Sequence, residues 1–400
     1  MPTPPPRVVV MGGSLGGLTA ALCLRDAGCA VEIYERARAP LTGLGAGIVL
    51  NSATTRYLTE CAELDITTIS TITHELRYMD SGGAIVHAQP SPYRFSSYNT
   101  LYRSLMRQFD PAHYQLGAAV VGLTQDAAGV NVRLADGRQT RCDLLVCADG
   151  IRSSARQLLL PATSLHYAGY IAWRGTLALE QLDAPTRAML DGAITYHVMP
   201  HSHLLTYPIL VVDQAGAPQT YANWLWYRNI AAGPALNALL TDRDGVLREV
   251  SLPPAAPQPH ALAALYADAA AQLPPPLASV VRGTAEPFIQ AVFDCEVPRM
   301  AFGRICLVGD AAFVARPHAA AGTAKAAADG WALGEAMRAA GGDVVAALQR
   351  WEAGQLQLGR TVLERTRTAG QRVQFEQSWQ VGEPLPFGLY TVGDSLCYGV

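Results

Sequence analysis

"VVVMGGSLGGLTAALCLRDAGCAVEIYER", residues 8–36, decides the fold. A β-branched run ends in glycines, an amphipathic helix follows to about Gly28, and "AVEIYE" reads as a second strand, which together spell a β-α-β unit. A strand that passes through a glycine turn into a helix start presents backbone N–H groups and the positive helix end to a pyrophosphate. Gly12 suits the tight turn, and Gly17 suits close packing of helix on strand. Ser14 stands where the second glycine of G-x-G-x-x-G belongs. It is the least bulky chiral polar choice there, and its hydroxyl can donate to a phosphate oxygen. About twenty residues on, Glu35 closes the second strand, where a carboxylate suits a ribose 2′-hydroxyl and repels a 2′-phosphate. The loop predicts a dinucleotide without choosing between FAD and NAD; a glycine-rich packing turn is the alternative.

The rest of the composition narrows the class. The chain has 400 residues, half of them hydrophobic and 16% charged, which fits a compact enzyme with a large core. A formal charge of -3 is too small to steer nucleic acid or an anionic membrane, and no apolar run reaches the length of a membrane span. The start "MPTPPPRVVVMGG" lacks a secretion pattern. Cys23, Cys29, Cys61, Cys142, Cys147, Cys295, Cys306 and Cys397 are scattered without C-x-x-C, so buried free thiols in a reducing cytoplasm are expected, with no metal site.

Two further acidic turns bear on the cofactor. Asp149-Gly150 ends the apolar strand "CDLLVCADG" and runs into "IRSSAR"; Asp310 follows "ICLVG" in "GDAAFVARPHAAAG", before a helix start near Ala321. A carboxylate at a strand end accepts from the hydroxyls of a ribityl chain, which NAD lacks, and the next helix N-terminus can meet charge on a reduced flavin. Either aspartate alone reads equally well as a helix cap or turn residue. Three spaced elements together point to FAD stretched between two loops.

In "GGSLGG…YER", "CADGIRSSAR" and "LVGDAAFVARPHAAAG" the chain resembles the single-component FAD-dependent aromatic hydroxylases, over nearly its whole length. Within that family the finer likeness, in "GGS", "YAGYIAWRG", "RPHAAAG" and "AKAA", is to the dihydroxypyridine type, which makes Ser14 a subfamily trait. Phe313 departs from the family's frequent histidine, and Ala320 from the first glycine of P-x-x-G-x-G. The resemblance implies an α/β fold: a Rossmann-like FAD-binding domain, an inserted mostly antiparallel β-sheet substrate domain, and C-terminal helices. The segments would run 1–75 (FAD unit), 76–105 (substrate-domain excursion), 106–164 (FAD domain with the DG motif), 165–295 (substrate sheet), 296–345 (FAD domain with the GD motif) and 346–400 (helix and tail).

By the same resemblance, FAD contacts fall to Gly12, Ser14, Leu15 and Gly17, with Glu35 and Arg36 at the adenosine ribose. Ile48 and Val49 would lie along the flavin, Arg103 near the pyrophosphate or ribityl chain, and Val120 at the adenine. Asp149 and Asp310 would take hydroxyls, while Ala320, Ala321, Gly322, Thr323 and Ala324 would offer N–H groups to the pyrimidine edge. The implied reaction spends NADH or NADPH, a transient co-substrate, and O₂ to hydroxylate an electron-rich ring through a flavin C4a-hydroperoxide. For the dihydroxypyridine type this is 3-hydroxylation of 2,6-dihydroxypyridine. Other phenols, hydroxypyridines or larger natural-product rings are the alternatives.

Substrate contacts are expected on the sheet, where Tyr196, His197, His203, Tyr207, Tyr221, Trp224 and Tyr227 alternate along strands. A histidine titrating near neutrality is the best proton acceptor for a ring hydroxyl. The catalytic candidates are His318, beside the Pro317 turn, with Tyr207 and His203. "YIAWRG" reads as structural, with Trp173 packing and Arg174 pairing at a sheet edge. No anion clamp is evident, which favours a neutral heteroaromatic ring over carboxylated benzoates. A flavin dehydrogenase, reductase or halogenase is the rival enzyme class, although the halogenase W-x-W-x-I-P is missing from "NWLWYRN". A non-enzymatic nucleotide-binding protein would not need the DG and GD turns. The exposed C-terminal helical stretch leaves a homodimer open.

Overall fold

The computed structural model describes residues 4–42 and 47–396. Cys397 and the first two residues of "GAGIVL" lie outside the described residues. The chain is α/β, built on two main sheets. The nucleotide sheet places strand Arg7–Met11 between Ala30–Glu35 and Leu144–Cys147, in parallel register Val9↔Glu32 and Val9↔Leu145. Ile305–Leu307 adds to Leu144–Cys147, and Tyr114–Leu116 closes the other side. Strands covered on both faces read as continuous apolar runs, and Val8 to Met11 and Leu144 to Cys147 are all buried.

The glycine-loop helix runs Leu15–Asp26, and it is not amphipathic: every described position from Leu15 to Leu24 except Gly16 is buried. The reason is a second helix, Gly322–Ala339, laid over its outer face. A Cβ at Gly330 would sit 2.8 Å from the Cα of Ala20 and one at Gly334 2.9 Å from the carbonyl oxygen of Cys23, so these two glycines let the helices nearly touch. A helix between a sheet and a helix has no wet side.

Among the described residues the larger sheet holds eleven strands. Its centre is antiparallel: His166–Ala178, Pro218–Asn229, Ser202–Val212 and Ala193–Met199, flanked by Phe288–Asp294. The chain leaves the nucleotide sheet earlier than the expected residue 75, because Gly47–Leu50 already pairs with Arg94–Ser97 in this sheet. The period-two alternation sorts residues by face. Ile171, Trp173, Leu204, Trp224 and Trp226 face the helices Pro259–Gln272 and Pro275–Gly283, with Leu265, Leu277 and Val281 packed among them. The two indoles are satisfied: Trp224 Nε1 donates to Thr284 Oγ1 (2.8 Å) and Trp226 Nε1 to Ser202 Oγ (3.0 Å). Each such side chain contributes about 1.5–3 kcal/mol by leaving water. The opposite face carries Tyr170, Ala172, Leu205, Tyr207, Leu225 and Tyr227, and it turns towards the nucleotide sheet. The helix Val344–Gln371 is capped by Asp343, which accepts from the N–H groups of Val345 and Ala346. No helix among the described residues is long and apolar enough to cross a membrane.

Candidate active site

Two cavities meet at the glycine loop. One, of about 450 Å³, is lined by Gly12, Glu35, Arg36, Val120 and Asp149. The other, of about 350 Å³, lies between the sheets and is lined by Leu15, Ile48, Val49, Asp310 and the cavity face of the large sheet. Ser14, Tyr98, Ala148 and Gly150 line both, so they form the passage between them.

The loop geometry answers to its residues. Gly12 has φ +101°, and a Cβ there would lie 2.4 Å from the carbonyl oxygen of Ala148. A Cβ at Gly17 would meet the Gly12 oxygen at 1.9 Å, so Gly17 serves helix–strand packing and lines neither cavity. Ser14 is the N-cap of the first helix but makes no side-chain cap; its hydroxyl meets the Tyr98 hydroxyl at 2.7 Å. Glu35 is buried and accepts from the N–H groups of Gly13 and Ala37, both at 2.8 Å, which pins the loop to the strand end. Each carboxylate oxygen keeps a lone pair for a further donor.

At the far end, Asp310 opens into the cavity, and no described residue gives its carboxylate a hydrogen bond. The surrounding protein raises its pKa by desolvation, against the nearby Lys325 and Arg156 cations. Arg156 ties the two acidic turns together: its Nη1 donates to the carbonyls of Asp310 (3.1 Å) and Ala311 (3.0 Å), and its Nη2 to Ile151. Ala320 sits in the left-handed region at φ +52°, the conformation that a glycine would supply. Ala321 then starts the helix Gly322–Ala339 with no side-chain cap and no acid in its first turn, leaving N–H groups and the positive helix end free towards the cavity. Gly322 and Thr323 line it; Ala324 is fully buried and does not.

These features fit FAD. An orphan carboxylate, an uncapped helix start and a glycine turn that a Cβ would fill lie along connected cavities, as a dinucleotide carrying a polyol chain requires.

Two expectations need correcting. Arg103 is not delivered to either cavity; its guanidinium donates to the carbonyl of Val212. Asp149 lines the first cavity while its carboxylate accepts from Ser153 Oγ (2.6 Å), Ser154 Oγ and Ala155 N (both 3.3 Å) at the start of helix Ser154–Leu159. Arg174 is no sheet-edge residue. Its register puts it on the cavity face beside Leu225, opposite to Trp173.

The three catalytic candidates do converge on this cavity. His318 Nε2 lies 2.7 Å from the Tyr170 hydroxyl, and His203 stacks on Tyr227 at 4.6 Å while its Nδ1 meets the Gln374 amide at 3.1 Å. Tyr207 stacks on Phe95 at 4.3 Å. Burial, helped by Arg316, pushes His318 down to about 3, and burial and His318 hold His203 well below its ordinary value. Burial raises Tyr207 to about 12. The expectation of a histidine titrating near neutrality therefore fails: both rings are held neutral. His197 belongs to the core, with Nδ1 2.8 Å from the Met79 carbonyl. Tyr221 and Trp224 do not line the cavity, whereas Tyr196 and Tyr227 do.

Tyr98, Gln290, Arg316 and Phe387 also line the site and were not anticipated. Strand alternation puts Arg174 and Gln290 on one face of the sheet without telling which layer that face meets. Phe387, on the tail without period, had none. Among the described cysteines Cys61 is exposed and the other six are buried, all as free thiols.

A family model described as FAD binding domain-like matches residues 167–294. The chain is 37% identical over 390 residues to a 2,6-dihydroxypyridine 3-monooxygenase of Paenarthrobacter nicotinovorans, covering 97% of each. The solved structure of 2,6-dihydroxypyridine-3-hydroxylase from Arthrobacter nicotinovorans superposes with a TM-score of 0.91 at 37% identity, over 98% of both chains. A salicylate hydroxylase substrate complex shares the fold, with a TM-score of 0.72 at 21% identity over 95% of this chain and 90% of that one.

Proposed function

The chain belongs to the FAD-dependent monooxygenases that hydroxylate aromatic rings, and on that premise we propose 2,6-dihydroxypyridine as its substrate, with carbon 3 as the site of hydroxylation. The observation that carries this reading is one cavity bringing the Asp310 turn, the uncapped helix start and the Tyr/His face of the large sheet together. At about 350 Å³ it must admit the isoalloxazine as well as the substrate, which favours a single small ring over a larger natural product.

The N–H groups of the glycine loop and Ser14 would hold the pyrophosphate, Glu35 the adenosine ribose, and Asp310 a ribityl hydroxyl. The N–H groups at Ala321 to Thr323 would meet the pyrimidine edge. When bound, FAD supplies electron transfer from NAD(P)H to O₂ and delivery of one oxygen atom to the ring. The protein's share is to place the ring, exclude water and keep the ring hydroxyl ionised. Carbon 3 is ortho to one hydroxyl of the substrate and para to the other, so either oxyanion enriches it. Tyr196, Tyr207, Tyr227 and Phe387 form an aromatic box for the ring, and His318 and His203, held neutral, act as hydrogen-bonding partners. The buried thiols favour a cytoplasmic setting.

The test is NADH consumption with and without 2,6-dihydroxypyridine under ¹⁸O₂. Substrate-stimulated turnover with one labelled oxygen in a trihydroxypyridine supports the reading. Unchanged oxidation yielding only H₂O₂ removes this substrate.

A further inference from the structure

The cavity between the sheets holds an imbalance of charge. Its histidines are neutral and its tyrosines protonated. Arg316 is paired with Asp294, with Nη2 2.9 Å from Oδ2, a carboxylate it shares with Arg367. Asp310 lies under the influence of Lys325 and Arg156. Arg174 differs: among the described residues no carboxylate lies within ion-pair distance of it. Its Nη1 donates to Gln290 Oε1 at 2.7 Å, and its Nε is buried without a partner. A guanidinium carries five donors in a fixed fork; here the neutral amide of Gln290 takes one of them and the Phe288 ring lies 5.7 Å from its central carbon, so no anion meets the charge. Its field reaches the phenols of Tyr207 and Tyr227, which wall the same space.

We infer that Arg174 is the charge partner of the substrate: its guanidinium receives the oxyanion of the ionised ring hydroxyl, with Gln290 fixing the fork. The inference rests on the hydroxylated ring proposed above and deepens it, since the site then selects an anion rather than the neutral ring that the sequence suggested. The step is a simple ionisation. The O–H bond breaks, the electron pair stays on oxygen, and the proton leaves to solvent water, because neither histidine accepts it at neutral pH. Arg174 replaces a general base by making the anion the bound form. A charge-assisted, bidentate pair is about twice as strong as a neutral hydrogen bond and cannot be copied by an amide.

The experiment binds 2,6-dihydroxypyridine to the FAD-loaded chain without NADH and follows ring ionisation by its ultraviolet spectrum across pH. The parent should lower the apparent pKa of the bound ring by at least about one unit, a tenfold preference for the anion. Arg174→Gln should erase that shift and weaken binding at pH 7 roughly ten- to a hundredfold, with FAD content unchanged; Arg174→Lys should restore part of both. Gln290→Leu should give a smaller shift of the same sign. A parent that does not bind the ring sinks both the substrate reading and this inference. A parent that binds it with an unshifted pKa, or an Arg174→Gln chain that binds and ionises it as the parent does, sinks the arginine alone. So does an Arg174→Gln chain that, in a separate turnover assay, is altered only in its KM for NADH, which would assign the guanidinium to the NADH pyrophosphate.

Discussion

The ammonium of Lys325 meets the carboxylate of Asp329 at 2.7 Å, one helical turn apart, with 4% and 0% of their side chains exposed. The same Asp329 oxygen accepts the backbone N–H of Gly309 at 2.8 Å, so the pair anchors the Asp310 turn to the cavity helix. Its other oxygen is buried without a partner. Asp329→Ala strands the lysine charge in the core and should cost about 3–5 kcal/mol. Lys325→Met combined with Asp329→Leu should recover much of that loss. Denaturant midpoints of the single and double variants measure the coupling; additive losses would show that the two do not act as a pair.

Asp310→Ala removes the orphan carboxylate of the cavity. A hydrogen bond to a charged group is worth about 1.5–3 kcal/mol, so FAD should be held roughly ten- to a hundredfold more weakly. The ratio of flavin to protein absorbance after gel filtration, with a fluorescence titration of the stripped chain, reads this directly. Equal affinity would remove Asp310 from the cofactor site.

Ala320 holds a left-handed backbone at φ +52°. That conformation costs a β-carbon residue about 1–2 kcal/mol, and Ala320→Gly relieves it against about 0.4–1 kcal/mol of added freedom in the unfolded chain. The glycine variant should be more stable by up to about 1.5 kcal/mol, and Ala320→Val clearly less stable than the parent. Denaturant midpoints with and without FAD separate the loop from the rest of the fold.

His318 is pushed down to about 3 by burial and Arg316, while an unfolded histidine titrates near 6.5. The unfolded chain therefore binds the extra proton first. The stabilisation is complete above about pH 6.5 and erodes as pH falls towards 3. His203 acts in the same direction. His318→Gln should flatten the loss of stability between pH 6.5 and 4 relative to the parent. Parallel curves would show that the ring is not buried neutral.

The nucleotide sheet and its cofactor loop were legible because parallel strands, a glycine turn and a strand-end acid leave a local signal. The aromatic face of the large sheet was legible by alternation, and His203 and Tyr207 fall on it together. Arg174 was misread because its face depends on which side of the sheet the helices Pro259–Gln272 and Pro275–Gly283 cover, which no local pattern reveals. Arg103 follows the same logic: a guanidinium near the right element finds a nearer partner in Val212. The depressed histidines come from tertiary burial, which is invisible from residue type.

The order in which the nucleotide sheet receives its strands bears on its birth at the ribosome. Leu144–Cys147 borders Arg7–Met11 early, but its other edge waits for Ile305–Leu307. At ordinary synthesis speeds that interval lasts roughly ten to thirty seconds, during which an apolar ribbon stands with open hydrogen-bonding groups. A nascent chain stalled before residue 305 should be cut there by brief protease treatment, where the released protein resists.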